Sequence, residues 1–428
     1  MEPGDKIKVF YGDKFFEGIL MPKDRKGYLD LKLSSGYNVG FEEKKVKKTE
    51  LLEKKKNPVK KPSKISIDKN KKTILLLHTG GTIASKVDYS TGAVIAKFSE
   101  SEILEMFPEI AIKANVKSKL VRNMQSEMMR FDHYNILAKA IAKEASSVNG
   151  IILTHGTDTL HYTSAALAFA LQGIGIPVIL VGSQRSSDRG STDSAFNLMA
   201  AVDFITKTDF AGVAVCMHKD TNDGLCYILP ACKNRKMHTS RRDAFRPVNT
   251  IPIADVNLEI GKINFYQDYT KTHKSKPDLK LFNEKLKIGL LKAHVHMYAE
   301  EVKAYEKFDG LVVELLGIGH MPTMKVDEFT SENEKILLAI TNLAKKIPVV
   351  VSPQTIYGRV DMNVYTPGRQ LIKAGLIGNY SDMTPETAFI KLAWLLSNYK
   401  NKDEIKELFS KNLVGEITTR TKKETFLS

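Results

Sequence analysis

The sequence predicts an α/β protein, with two domains built on parallel sheets behind a small N-terminal β-barrel. Three observations carry this reading. The apolar runs Ile74-Leu75-Leu76-Leu77 and Ile151-Ile152-Leu153 are short and continuous, as strands buried on both faces of a parallel sheet are. Each passes directly into a Gly/Thr turn, His78-Thr79-Gly80-Gly81-Thr82-Ile83-Ala84 after the first and His155-Gly156-Thr157-Asp158-Thr159 after the second. The first fifty residues instead read as short strands between Gly- and Pro-bearing turns.

Residues 1–53 form the first unit. Lys6-Ile7-Lys8-Val9, Phe15-Phe16-Glu17-Gly18-Ile19-Leu20 and Tyr28-Leu29-Asp30-Leu31-Lys32-Leu33 are strand candidates, and five strands would close a small SH3-like barrel. Residues 54–72 turn Lys/Pro-rich and lose periodicity, as a linker does. A large α/β domain is expected over 73–280. Its strands at 74–78, 150–154, 177–181 and 213–217 alternate with helices at 132–146 and 191–205, where apolar residues recur every three or four positions. A smaller α/β domain is expected over 286–428, with strands at 288–292, 310–314 and 348–352. Two helix starts are marked there. Ser331-x-x-Glu334 reads as a capping box, and Thr384-Pro385-Glu386 sets a cap residue before a proline in the first turn.

The composition, 43% hydrophobic and 26% charged over 428 residues, suits a soluble globular chain with two or three cores. Its apolar stretches fall short of the roughly 18 residues that span a bilayer, and Met1-Glu2-Pro3-Gly4-Asp5 lacks a signal-peptide core, so a cytoplasmic location is expected. Cys216, Cys226 and Cys232 cannot all pair and show no Cys-x-x-Cys spacing, which points to thiols rather than disulfides or a zinc site. Charge is uneven. Residues 1–72 hold 20 Lys+Arg and 11 Asp+Glu, a net of +9 out of +15. That excess fits either attraction to nucleic-acid phosphates or a solvated, extended linker, and both readings stay open.

Ligands of parallel sheets bind beyond the carboxyl ends of the strands, so the two Gly/Thr turns converge on one site. They bring two threonine hydroxyls, a carboxylate and glycine-exposed backbone N–H groups that suit a developing oxyanion. A threonine hydroxyl is a poor nucleophile at neutral pH and needs such an oxyanion site together with an activating base. Together with Val181-Gly182-Ser183-Gln184-Arg185 and Asp193-Ser194-Ala195-Phe196-Asn197-Leu198, these turns resemble the asparaginase family of threonine amidohydrolases, from about Thr73 to the C-terminus. Two further segments, Asn234-Arg235-Lys236-Met237-His238-Thr239-Ser240-Arg241-Arg242-Asp243-Ala244-Phe245 and Leu31-Lys32-Leu33-Ser34-Ser35-Gly36-Tyr37-Asn38, are similar to the GatD subgroup, which supplies one component of the archaeal glutamyl-tRNA(Gln) amidotransferase.

The resemblance implies an asparaginase-like two-domain fold and assigns roles. Thr82 attacks a side-chain amide to give an acyl-enzyme, and Tyr89, in Tyr89-Ser90-Thr91-Gly92, hydrogen-bonds that hydroxyl from a flap. Thr157, Asp158 and Lys236 form a second constellation that moves protons; which threonine acts first stays open, as does a plainer role of Thr157 and Asp158 in capping a helix near His161. Asp158 also grips the substrate ammonium. Gln125 and Ser126, in Asn123-Met124-Gln125-Ser126-Glu127, match the carboxylate-binding loop, in the order Gln-Ser where many asparaginases have Ser-Gln. No metal or cofactor is implied in this chain. ATP and Mg are expected in the partner, the amidotransferase component GatE, with Glu-tRNA(Gln) in the complex and a homodimer at the core of a heterotetramer. The implied function is release of ammonia from glutamine or asparagine for conversion of Glu-tRNA(Gln) to Gln-tRNA(Gln). A free-standing type I L-asparaginase and a degenerate tRNA-binding scaffold are the alternatives, and the intact Thr82, Thr157, Asp158 and Lys236 set argues against degeneracy.

Three other features invite a functional reading. His294 and His296 would point to one side of a strand, but no third metal ligand is evident and a structural role is expected. Lys219-Asp220-Thr221-Asn222-Asp223-Gly224 has a calcium-loop look yet lacks the closing glutamate, so it reads as a turn. Gly317-Ile318-Gly319-His320 carries a histidine where the family has an asparagine that helps build the neighbouring protomer's site.

Overall fold

The structure, a computed structural model, describes residues 1–23, 26–34, 37–54, 68–80, 85–87, 94–96, 107–185 and 191–426; Thr82, Tyr89 and most of the 54–72 linker lie outside them. The N-terminal unit is an antiparallel sheet of β1 (Lys6–Tyr11), β2 (Lys14–Leu20), β3 (Tyr28–Leu33), β4 (Asn38–Glu42) and β5 (Val46–Glu53), in the order β4-β3-β2-β1-β5. Period-two alternation turns Ile7 and Val9 inward against Leu31 and Phe41, all buried. The five strands match expectation, but among the described residues no ladder joins β4 to β5, so the sheet is open at that seam. With β5 ending at Glu53, the charge can be divided. Residues 1–53 hold 11 basic and 10 acidic side chains, whereas 54–72 hold 9 and 1. The linker, not the sheet, carries the positive excess.

The large domain is an eight-stranded sheet. Its strands are β6 (Thr73–His78), β7 (Asn115–Leu120), β8 (Gly150–Thr154), β9 (Pro177–Val181), β10 (Gly212–His218), β11 (Leu225–Pro230), β14 (Ala254–Asn257) and β15 (Lys262–Phe265), while β12 (Asn234–Lys236) and β13 (Phe245–Pro247) pair separately as a hairpin. The order is β15-β14-β11-β10-β9-β8-β6-β7, parallel from β7 to β10 and antiparallel beyond. Helices α1 (Phe131–Glu144) and α2 (Leu160–Ala170) cover one face, and α3 (Ser194–Lys207) covers the other. Helix α2 is apolar nearly all round because the smaller domain closes over its outer side.

That smaller domain has a parallel sheet of β16 (Ile288–Lys292), β17 (Gly310–Leu315) and β18 (Val349–Pro353), with helices α4 (Glu332–Lys346), α5 (Thr366–Ala374), α6 (Pro385–Asn398) and α7 (Lys402–Ser410). Thr384 caps α6 as expected, its hydroxyl accepting from Thr387 N at 3.3 Å. The other expected cap is displaced. Ser331 is already helical (φ −61°, ψ −27°) and makes no cap bond. The carboxylate of Asp327 instead opens a 3-10 turn at Glu328–Thr330, accepting from Phe329 N at 3.1 Å and Thr330 Oγ1 at 2.8 Å. A charged acceptor one turn earlier satisfies the free N–H groups better than a neutral hydroxyl.

The two domains share one core. Phe169 of α2 and Trp394 of α6 lie with ring centroids 5.5 Å apart, and Trp394 Nε1 donates to Lys280 O at 3.1 Å. Buried ion pairs reinforce the joint, Lys233 with Asp382 at 2.9 Å across it and Lys391 with Glu416 at 2.5 Å beside it. Cys216, Cys226 and Cys232 are unpaired and buried, and burial pushes the Cys226 and Cys232 thiols well above the usual range. No helix of the described residues is long and apolar enough to cross a membrane. Both charges of the Lys391–Glu416 pair are fully buried, so Glu416→Ala should leave an uncompensated ammonium and cost about 3–5 kcal/mol in urea unfolding. A loss below about 1 kcal/mol would mean that the Lys411 carbonyl, which Lys391 Nζ also reaches at 2.5 Å, satisfies the ammonium alone.

Candidate active site

Strands β6, β8 and β9 end level, with Thr154 in register with both His78 and Val181. The turns that follow are locked together. Thr79 Oγ1 donates to Thr154 O at 3.0 Å, and Met124 N donates to Thr79 O at 2.9 Å. Gly80 has φ +105°, and a Cβ there would lie 2.4 Å from Met124 O, so only glycine lets the loop holding Gln125 and Ser126 come this close. The same loop docks on the second turn, where Thr159 Oγ1 donates to Ser126 O at 2.7 Å and a Cβ on Gly156 would meet Ser126 at 2.8 Å. Ser126 is buried and Gln125 exposed.

Thr157, Asp158 and Lys236 meet at this point. Lys236 Nζ donates to Thr157 Oγ1 at 2.9 Å and to Asp158 Oδ1 at 2.7 Å. Thr157 is buried, Lys236 is mostly covered, and Asp158 is two-thirds exposed. Neither Thr157 nor Asp158 caps the following helix. They form a 3-10 turn, and Thr159 is the residue preceding α2, with its hydroxyl turned to Ser126 O. Lys236 arrives on the β12–β13 hairpin, opposite the buried Phe245. Its neighbour Arg235 points the other way, as strand alternation requires, and donates to Glu386 Oε1 at 2.8 Å. The hairpin end is closed by Met237 N donating to Ala244 O at 2.7 Å and by Asp243, which binds Arg241 and Arg246. Hydrogen bonding to Arg241 holds the Asp243 carboxyl below its ordinary range, against a smaller effect of burial.

Beneath the turns lie neutral supports. His78 Nδ1 pairs with Thr154 Oγ1 at 2.8 Å and Nε2 with Ser118 Oγ at 3.0 Å, while His155 binds Gly156 O at 2.7 Å and Thr163 Oγ1 at 2.9 Å. Burial lowers both imidazoles to about 4. Asp193, fully buried, accepts from Gln184 N and Arg185 N at 3.0 Å and from Ser183 Oγ at 2.8 Å, which shapes the turn after β9.

Of the residues expected here, Thr157, Asp158 and Lys236 are joined directly, and Gln125 and Ser126 sit on the adjoining loop. Thr82 and Tyr89 fall outside the described residues; an antiparallel pair, Ser85–Val87 with Val94–Ala96, flanks Tyr89 in the chain. Sequence reasoning missed Arg235 as a tie to Glu386, because 151 positions separate the two. One further expectation changes. His294 and His296 lie beyond the end of β16 rather than on a strand, and they bind Glu301 at 2.7 Å and Tyr298 at 2.9 Å. No group of three His, Cys, Asp or Glu among the described residues is arranged to hold a metal. The 219–224 segment is a turn, with Asn222 N donating to Asp220 Oδ1 at 2.7 Å. His320 packs edge-on to Tyr365 at 5.2 Å, and burial lowers its pKa.

Comparison with known proteins agrees with this layout. The Asparaginase, N-terminal profile matches residues 73–271, the Glutaminase/Asparaginase C-terminal domain profile 287–409, and the GatD N-terminal domain profile 1–52. The GatD component of the Glutamyl-tRNA(Gln) amidotransferase of Methanococcus maripaludis (strain C5) is 41% identical over 424 residues, covering 97% of this chain and 98% of that protein. Its counterpart in Pyrococcus furiosus is 41% identical over 433 residues, covering 98% and 95%. Among solved structures, the thermostable L-asparaginase from Thermococcus kodakarensis superposes with a TM-score of 0.70 at 29% identity, over 81% of this chain and all of that one. L-asparaginase I from Vibrio cholerae gives 0.68 at 25% identity, over 81% and 99%.

The lowered histidines have a consequence for stability. Unfolded, His78 and His155 take up protons near pH 6.5; folded, they resist until about pH 4. The unfolded state therefore binds more protons across that window, and stability present above pH 6.5 should be lost on acidification, by up to roughly 3 kcal/mol per histidine. Urea midpoints measured from pH 7 to 4 should fall accordingly, and His155→Gln, which keeps a donor and an acceptor without titrating, should flatten the slope. An unchanged slope in that variant would place the titration elsewhere.

Proposed function

The chain belongs to the GatD family of glutamyl-tRNA(Gln) amidotransferase components, built on the asparaginase fold, and from this membership we propose that it hydrolyses the side-chain amide of glutamine, or of asparagine, and releases ammonia for a partner that converts Glu-tRNA(Gln) to Gln-tRNA(Gln). The observation that carries the reading is Lys236 Nζ within hydrogen-bond reach of both Thr157 Oγ1 and Asp158 Oδ1. A hydroxyl, an amine and an orienting carboxylate at these distances make an activated-nucleophile or water-activating set.

In this reading Thr82 Oγ1 attacks the amide carbon, its hydroxyl proton passes to the leaving nitrogen, the C–N bond breaks, and the nitrogen departs as ammonia. The acyl ester left on Thr82 is cleaved by water. Lys236, when its amine is neutral, takes the Thr157 hydroxyl proton as Thr157 takes one from the attacking water, and that proton returns to the Thr82 oxygen as the ester breaks; Asp158 orients the amine while its exposed side receives the substrate ammonium. Ser126 and Gln125 bind the substrate carboxylate. The chain needs no cofactor for these steps. ATP with Mg is used by the partner, GatE, and a homodimer of this chain forms the core of a heterotetramer that takes up Glu-tRNA(Gln). A free-standing L-asparaginase is the second reading, favoured by the match to a complete L-asparaginase over 81% of the chain. The N-terminal unit, matched over residues 1–52 by the GatD N-terminal domain, supports the amidotransferase instead.

Two expectations follow from the chemistry. Thr82→Val should abolish amide hydrolysis without unfolding the chain. Lys236→Ala and Asp158→Ala should each remove most activity, with the double variant little worse than either, since residues acting as a unit are non-additive. Multiplicative losses would show independent roles. For the assembly, ammonia release from glutamine should be slow alone and rise on adding the partner and Glu-tRNA(Gln), and truncation before Lys72 should weaken that response more than the basal rate. Equal basal and stimulated rates with a strong preference for asparagine would move the assignment to a free-standing asparaginase.

A further inference from the structure

Glu386 lies in the first turn of α6, where the helix dipole favours a carboxylate, and it is buried at the joint between the domains. Its Oε1 accepts from Arg235 Nε at 2.8 Å and lies 3.8 Å from His161 Nε2, in contact but too far for a hydrogen bond. These two partners sit next to the catalytic set. Arg235 immediately precedes Lys236 on β12, and His161 is the second residue of α2, directly after the Thr157–Thr159 turn. One oxygen of the smaller domain thus touches both elements that deliver Lys236, Thr157 and Asp158.

We propose that Glu386 is the positioning residue that seats Lys236 on Thr157 and Asp158, by holding the β12 hairpin and the start of α2 in one arrangement. The inference rests on the hydrolytic reading above. Its physical basis is strand geometry. Arg235 and Lys236 project to opposite faces of one short strand, so a rotation that released Arg235 from Glu386 would swing Lys236 away from Thr157. Such a release is opposed because Glu386 has little else to bind. Its Oε2 and His161 Nδ1 have no hydrogen-bond partner among the described residues, so losing Arg235 would leave a buried carboxylate almost bare. Burial alone would raise the Glu386 pKa, yet His161 and Arg235 outweigh it and hold the carboxyl at about 2. Glu314 of β17 and Tyr162 of α2 also face this cluster, and burial pushes both of them up.

The test uses the full chain with its partner, with glutamine varied up to saturation and ammonia release as readout. Glu386→Gln, nearly isosteric but uncharged, should lower kcat by about tenfold or more, as small misplacements of a catalytic group do, while KM stays within about twofold. The pH dependence of kcat should also change. On a Lys236→Ala background the same change should cost nothing further, since Glu386 would have nothing left to position. Arg235→Gln should reproduce the kinetic effect, and it carries the test if Glu386→Gln fails to fold. Wild-type kcat and pH profile in these variants, or a full multiplicative loss on Lys236→Ala, would overturn the proposal. Absence of ammonia release by the wild-type complex would instead sink the hydrolytic reading itself.

Discussion

The seating of the Lys236 ammonium on one hydroxyl and one carboxylate is the contact on which the rest of the site depends, and magnitudes say what holds it there. Ordering a lysine side chain costs up to about 2 kcal/mol of rotamer freedom. An ion pair to a carboxylate as exposed as Asp158 returns only about 0–1 kcal/mol. The pair therefore cannot place the lysine unaided. Placement falls to the backbone, through the two-stranded hairpin closed over Phe245 and the Asp243 bridges at its end, and through Arg235 on the reverse face.

The opposing side of the site obeys a different constraint. Thr157 and Asp158 stand where they do because β6, β8 and β9 stop at one level, and a parallel sheet leaves its turns on the same rim. The rim is then stitched by short hydrogen bonds from Thr79, Thr159 and Met124, with glycine at positions 80 and 156 because any side chain would strike the 124–126 loop. The precision of this rim comes from backbone contacts among turns, with the imidazoles of His78 and His155 kept neutral beneath them.

Much of this was legible in the sequence because it is local. Continuous apolar runs located β6, β8 and β9 to within a residue, and Thr-Pro-Glu marked the start of α6. The misreadings also have local causes. Ser331-x-x-Glu334 satisfied the capping pattern while Asp327, one turn earlier, offered the stronger acceptor. The alternate spacing of His294 and His296 suited a strand, yet both lie beyond the strand that ends at Lys292. Counting charge over residues 1–72 merged a near-neutral sheet with a basic linker, and only the end of β5 separates them. What the sequence could not display is the tie between Arg235 and Glu386, or between Lys233 and Asp382, since both join residues about 150 positions apart and neither residue type is unusual for a surface. Thr82 and Tyr89 rest on resemblance throughout.

The three cysteines add something of practical use. All are sequestered in the interior, two with thiols shifted far from ionisation, so the native chain offers poor targets to maleimides and other electrophiles that require an accessible thiolate. A cysteine introduced on the N-terminal sheet would therefore be modified selectively. With no background substitutions, one fluorophore there and another on the partner would report their distance as the assembly forms.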